Sequence, residues 1–341
     1  MRFGLGWRRE LGAGILANLD SIEVVEVLAE ELFEADAAQR RAFRFLRAHV
    51  PVVLHATSLG LASPERVDAR RLERIARVVE WLEPELWSEH LAFVRAGGIE
   101  VGHLAAPPRN DATLEGLVRN VEEARRVVGS LPVVENVASL IDPPCSTYDE
   151  TQWLHAVLAA TPCDLLLDLH NVYANAENFG FDAGTLVASL PGARVRMIHL
   201  AGGKRIERGR VLDDHLHRVP EEVFALLSLV YAPDATVILE RDGEYPAVEE
   251  LVAELGRARE RGEGQGARGE RRERGENAER PSLTPRLSPL APDPATETLA
   301  ALYTDERALA DYLAGDNPLQ INPDDLRLAA WSFARKRAKH G

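Results

Sequence analysis

Eight short apolar runs, rich in β-branched residues, recur through residues 1–256 and constrain this chain more than any other feature. They are Arg2–Trp7, Ile22–Leu28, Val52–Ala56, Leu86–Phe93, Pro132–Ala138, Asp164–His170, Val195–Ala201 and Ala235–Arg241. Helical periodicity separates most of them, as in Arg70–Leu82 and Leu114–Val128. Strands alternating with helices imply parallel strands joined by right-handed crossovers. Eight such units in about 250 residues predict a (β/α)8 TIM barrel of the α/β class. An open doubly wound sheet is the alternative. However, no GxGxxG follows the first run and no GxxxxGK[ST] occurs, so nothing favours a nucleotide-binding sheet. The Gly202-Gly203 turn is weak evidence for a phosphate cradle.

The ends of these runs carry chemistry. His55 ends the third (VVLHATS), and Glu89 and His90 lie in the fourth (WSEHLAF). Glu135 and Asn136 end the fifth, Asp168, His170 and Asn171 the sixth, and His199 the seventh. Asp213, Asp214, His215 and His217 follow in LDDHLH, and Glu240 and Asp242 end the eighth. Barrel active sites are assembled at the C-terminal strand ends, so these side chains are expected to converge. Each has a bland explanation by itself. A strand-end histidine is commonly a core residue, Asp168 or Asp242 would cap a helix, and Asn136 or Asn171 would serve a turn. His103 and His155 match no strand end, and Cys145 and Cys163 read as structural. The joint pattern is different, because six consecutive strands deliver a His, Asp or Glu to one rim. Such groups are costly to bury without partners, and metal ions resolve that cost. Imidazole nitrogen with carboxylate oxygen and no thiolate suits iron, manganese or zinc. So many donors exceed the needs of one ion with open positions. Two or three ions sharing carboxylates fit better, with Glu135 and Asp168 as bridges near the middle of the series.

A net charge of −14 and a pI near 5.3 argue against general nucleic-acid or anionic-membrane binding. Two cysteines give no disulfide framework, so a reducing cytosol is expected. No signal-peptide pattern is read at the N-terminus, and no apolar run approaches the roughly 18 residues that span a bilayer. The expectation is a cytoplasmic protein with no membrane partner. Composition changes at Arg257, where RARERGEGQGARGERRERGENAER gives way to repeated prolines up to Pro294. Residues 257–294 are therefore expected to form a disordered linker after a barrel domain of residues 1–256. Apolar periodicity returns in 295–341, at Leu299, Leu302, Tyr303, Leu309, Tyr312 and Leu313, then at Leu326, Leu328, Trp331 and Phe333 before a basic end. This is a small helical tail, either a loosely ordered extension or a docking module.

The ordered motifs GLGWR, LHATSLGL, SEHLAF, VENVAS, LLDLHNVYANAENFG, IHLAGG, DDHLH and LERDG resemble those of the multinuclear non-haem iron-dependent oxidative enzymes (MNIO), a TIM-barrel family, over roughly residues 2–255. The resemblance implies two or three iron ions, Fe2+ or Fe3+, at the barrel mouth. By motif position their ligands would be His55, His90, Glu135, Asp168, His170, His199, Asp213, His215 and Glu240, with Asn171 beside them. Glu135, Asp168 and His215 take the catalytic positions. It further implies oxidative modification of a ribosomally made precursor peptide, at cysteine or another residue, with O2 as co-substrate. Members usually work with a separate partner protein that recognises the precursor peptide, and LAALYTDERALADYLAGDNPL in the tail is similar to part of such partners. This chain departs from the family pattern at Gly203, where a His often follows IHLAG, and in LAEELF, where an Asn often follows the acidic residue. Two other functions fit the same residues. One is a divalent-metal isomerase, epimerase or endonuclease of the xylose-isomerase-like group, and the other is a metal-containing peptide-binding protein without turnover.

Overall fold

The structure, a computed structural model, describes residues 1–263, 294–315 and 318–340. Eight parallel strands close into a barrel: β1 (Arg2–Gly6), β2 (Val24–Leu28), β3 (Val52–His55), β4 (Trp87–His90), β5 (Val133–Glu135), β6 (Leu165–Asp168), β7 (Val195–Leu200) and β8 (Thr236–Leu239). β8 returns to pair with β1 and so removes both sheet edges. Every apolar run of the sequence supplies one of these strands. The crossover helices bury single stripes against the barrel wall. Ala69–Leu82 buries Leu72, Ile75, Val78 and Leu82, and Asp68 caps its N-terminus through Arg71 N–H at 2.9 Å.

Inside the barrel the side chains form layers. Val24, Val53, Val133, Leu166, Met197 and Ile238 pack together as an apolar floor, with Leu86 against them. Side chains two residues apart on a strand share a face. The next inward position on each of these strands is therefore Glu26, His55, Glu135, Asp168, His199 or Glu240. A polar layer thus stands directly on a hydrocarbon one. β1 adds only glycine to the interior, and a Cβ at Gly4 would lie 1.9 Å from Val24 O.

Beyond the last strand the chain is mostly helical where it is described. The helix Val248–Glu263 runs seven residues into the stretch expected to be linker. Leu251, Leu255 and Ala258 make a buried stripe, and Gly262 meets the Phe3 ring. Residues 264–293 of that expected linker lie outside the described residues. The tail is helical, as expected. Its helices Pro294–Thr304 and Pro323–His340 pack on the hairpin Phe93–Ala96/Ile99–Ala105 that follows β4, and Glu306–Ala314 packs on the first of them. They share a second apolar core, in which Phe93, Val101 and Leu140 meet Leu299, Tyr303 and Leu326. Tyr303 stacks on Phe333 at 4.2 Å, and Arg210 pairs with the largely buried Asp325 at 2.5 Å. Among the described residues no helix is long and apolar enough to cross a membrane.

Candidate metal centre

The nine residues expected as ligands meet at the C-terminal end of the barrel, in overlapping sets of three whose donor atoms lie within 4.8 Å of one another, and these sets merge into three neighbouring groups. In the first, His90 Nε2 and His55 Nε2 lie 3.1 and 3.5 Å from Glu135 Oε2. In the second, His199 Nδ1 lies 3.3 Å from Glu135 Oε1 and 3.0 Å from Glu240 Oε2, with Asp168 close by. In the third, Asp213 Oδ1 stands between His215 Nε2 at 2.7 Å and His170 Nδ1 at 2.9 Å. Glu135 thus turns one oxygen to each of the first two groups. Asp168 and Glu240 link the second group to His215.

The donor set fits metal ions. Glu135 Oε2, Asp168 Oδ2, His199 Nδ1 and His215 Nε2 are buried, yet make no hydrogen bond among the described residues. These atoms crowd together without hydrogen-bond geometry between them, as atoms around a cation do. Burial pushes the Asp168 carboxyl up to about 7, with Glu135 adding to the rise, and Glu135 is itself raised by burial. Burial holds His55 well below the ordinary imidazole range and His90 at about 4, so both are neutral and ready to ligate. His199 and His215 behave in the opposite way. Burial disfavours their charge, but Glu240, Glu26 and Glu135 around His199, and Asp213 beside His215, raise both well above the usual value. Bound ions would replace those protons.

The surroundings orient the donors. His55 Nδ1 is 2.8 Å from Ser88 Oγ, which leaves Nε2 facing the centre. Asp168 also caps the helix Leu169–Phe179, accepting from Asn171 N–H at 2.7 Å, so the bland reading of this residue holds beside the chemical one. Asn171 borders the cavity and donates to Asn136 O. Arg8, from GLGWR, donates through Nε to Asp242 Oδ1 at 2.9 Å and approaches Glu240 at 3.6 Å. His215 is held at φ +54°, with its carbonyl accepting from Asp242 N–H at 2.9 Å. Several strand-end residues stay out of the centre. Glu89 turns away to accept from Leu59 N–H at 3.2 Å, and Asp214 faces His217 at 3.6 Å and Lys204 at 3.8 Å. His103 packs by Phe333, and His155 sits 3.1 Å from Ser189 Oγ. One residue was missed in the sequence: Glu26, wholly buried, with Oε2 2.9 Å from His199 Nε2. The signal was present, because an acid interrupts the apolar run VVEVL in register with the floor residue Val24.

A cavity of about 760 Å3 opens above the centre. His55, His90, Glu135, His215 and Glu240 form its base, and Trp331, Ser332, Arg335 and Lys336 of the last helix contribute one wall.

Residues 2–263 match the family described as RiPP precursor modification enzyme MbnB/TglH/ChrH. A UPF0276 protein of Rhizorhabdus wittichii is 34% identical over 265 residues, which cover 76% of this chain and 94% of the relative. Another, from Streptomyces avermitilis, is 36% identical over 275 residues, 78% of this chain but 56% of that longer relative. Among solved structures, endonuclease IV from Thermus thermophilus superposes with a TM-score of 0.51 at 19% identity, over 76% of this chain and all (100%) of its own. D-psicose 3-epimerase from Clostridium cellulolyticum gives 0.50 at 14% identity, over 77% and 99%. Identities this low show a shared barrel fold and nothing about the reaction. With the family match spanning the whole barrel and every residue of the centre, this chain belongs to the MbnB/TglH/ChrH family of RiPP precursor modification enzymes.

Proposed function

We propose that this protein binds two or three iron ions and uses O2 to modify a ribosomally made precursor peptide oxidatively, at a cysteine. The observation that carries the reading is the division of the Glu135 carboxylate between His55/His90 and His199, at the base of a cavity wide enough for a peptide segment. Iron would supply the redox chemistry and a Lewis acid at this centre. The first group would be held by two imidazoles and one carboxylate and faces the cavity, which suits it to receive a substrate thiolate. The second, with Glu135, Asp168 and Glu240 around His199, has more negative charge to neutralise. His215 and Asp213 would hold the third and link it to the second through Glu240.

The tail serves substrate recruitment in this reading. Its last helix walls the cavity and brings Trp331, 43% exposed, with Arg335 over its ring at 4.9 Å. A peptide held there would reach the metal centre at a high effective concentration, a task for which the family resemblance implies a separate partner protein. The decisive experiment combines the anaerobically iron-loaded protein with a cysteine-containing peptide encoded beside its gene, then admits O2. A mass change in the peptide with matching O2 consumption is expected. Redox-silent turnover of a sugar or nucleic acid with manganese, magnesium or zinc would overturn the proposal, and so would peptide binding that never leads to turnover.

A further inference from the structure

Two histidines of the centre are turned in opposite senses by their neighbours. His55 places Nδ1 against Ser88 Oγ at 2.8 Å, and that hydroxyl in turn reaches Leu54 O, so the imidazole presents Nε2 to Glu135. His199 does the reverse. Its Nε2 lies 2.9 Å from Glu26 Oε2, while Nδ1 faces Glu135 and Glu240 and has no hydrogen bond among the described residues. Neither His199 nor Glu26 is exposed at all, at 0% each.

Glu26 has no evident structural purpose. It stands one step above Val24 of the apolar floor, where a leucine would extend the hydrocarbon layer. Its Oε1 is buried without a hydrogen bond among the described residues. A carboxylate placed here at such cost needs a compensating role. Imidazoles that bind metals usually donate their other N–H to a carboxylate or carbonyl, which sets the tautomer and raises the basicity of the ligating nitrogen.

We propose that Glu26 is a positioning residue that accepts the Nε2 proton of His199 and commits this histidine to bind metal through Nδ1. The inference rests on the metal-binding reading of the centre and concerns the orientation of one ligand, so it can fail while that reading stands. Glu26 also stands with His199 and Glu240 in one group able to hold an ion, but its Oε2 is taken up by His199 Nε2, and the metal stoichiometry of a Gln variant separates a ligand from a positioning residue.

Zn2+, which is diamagnetic, is the probe. Protein carrying 15N-labelled histidine is loaded with Zn2+ and examined by long-range 1H–15N correlation, with His199→Gln used for assignment. In the wild type, His199 is expected to show a metal-bound Nδ1 and a protonated Nε2. Glu26→Gln keeps an oxygen that can accept the proton but loses the charge. It should retain Nδ1 binding, keep the full Zn2+ stoichiometry and weaken affinity about 10-fold. Glu26→Leu removes the acceptor and should weaken affinity by up to about 100-fold, with a mixed His199 tautomer. Zn2+ on His199 Nε2 in the wild type would overturn the proposal. Unchanged affinity in Glu26→Gln, or the loss there of a whole equivalent of Zn2+, would also overturn it, the last by making Glu26 a ligand. Failure of the wild type to bind Zn2+ at all would instead overturn the reading of the centre on which the proposal stands.

Discussion

Asn136 grips Asp168 by both halves of its backbone. Asn136 Nδ2 donates to Asp168 O at 2.9 Å, and Asp168 N–H donates to Asn136 Oδ1 at 2.9 Å. The side-chain amide thus imitates one more rung of the β5–β6 ladder, beyond the point where β5 ends at Glu135. Asn136→Ala should leave two buried backbone groups unpaired, each costing about 1–3 kcal/mol. Denaturant unfolding of metal-free protein should show that loss, and elemental analysis should show reduced metal content because Asp168 is no longer held in place. Stability and metal content both at wild-type levels would contradict this account.

Glu135→Gln should lower metal content by at least one equivalent and reduce turnover with it. The amide has one oxygen to offer where the carboxylate serves both His55/His90 and His199. Elemental analysis and peptide mass change on the same preparation would test this. Full metal content with unchanged turnover would exclude a bridging role.

The metal-free protein should lose stability as pH rises toward about 7, most clearly above about 6.5. Asp168 and Glu26 titrate at about 7 when folded, pushed up mainly by burial, against about 4 when unfolded. A raised carboxyl pKa contributes stability that is complete below the unfolded value and disappears as pH passes the folded one. His90, held at about 4 by burial, works in the other direction, but only below about 6.5. Thermal denaturation in a chelator should therefore give a Tm that falls across this window. Added Zn2+ should abolish the fall, because the cation would take the place of the Asp168 proton and, held by His199, favour the Glu26 carboxylate.

Of the two free cysteines, only Cys145 should react quickly with iodoacetamide. Cys145 is exposed, whereas Cys163 is enclosed in the core and burial pushes its thiol up to about 12. Mass spectrometry should find one adduct on the native protein and two after unfolding. Rapid double labelling would mean that the β6 end of the barrel opens readily.

Trp331→Ala and Arg335→Ala should raise KM for a peptide substrate several-fold while leaving kcat and metal content nearly unchanged, because both line the cavity and neither is among the candidate ligands. A fall in metal content would show that the last helix also shapes the centre. Deleting the whole tail is a harsher test, since it would expose Phe93, Val101 and Leu140 of the shared core.

The barrel and most of its centre were legible because inward polar residues stood at the ends of continuous apolar runs. Glu26 was not, because it lies inside such a run with valines on both sides. Only the two-residue step from Val24 would have pointed to it. The hairpin after β4 was hidden because Leu86–Phe93 read as one strand, although Gly97-Gly98, both at positive φ, marks its turn. The charged stretch of residues 257–263 resembles linker, and its helical state depends on Ala258 and Gly262 packing against distant residues such as Phe3. The apolar positions of the tail were readable, but the surface they cover is made by chain some 200 residues away (roughly the span from Val101 to Leu299), which no local pattern reports.

The apolar floor under the metal centre has a consequence for assembly. In each of six strands, a floor residue and a site residue are separated by the same two-residue step. If any of these strands paired one residue out of register, its acid or imidazole would turn into the helix layer and a neighbouring apolar side chain would enter the centre. One slip would then damage the hydrophobic seal and the donor set together. Selection for a barrel that closes is, on these strands, also selection for a centre with its donors in place.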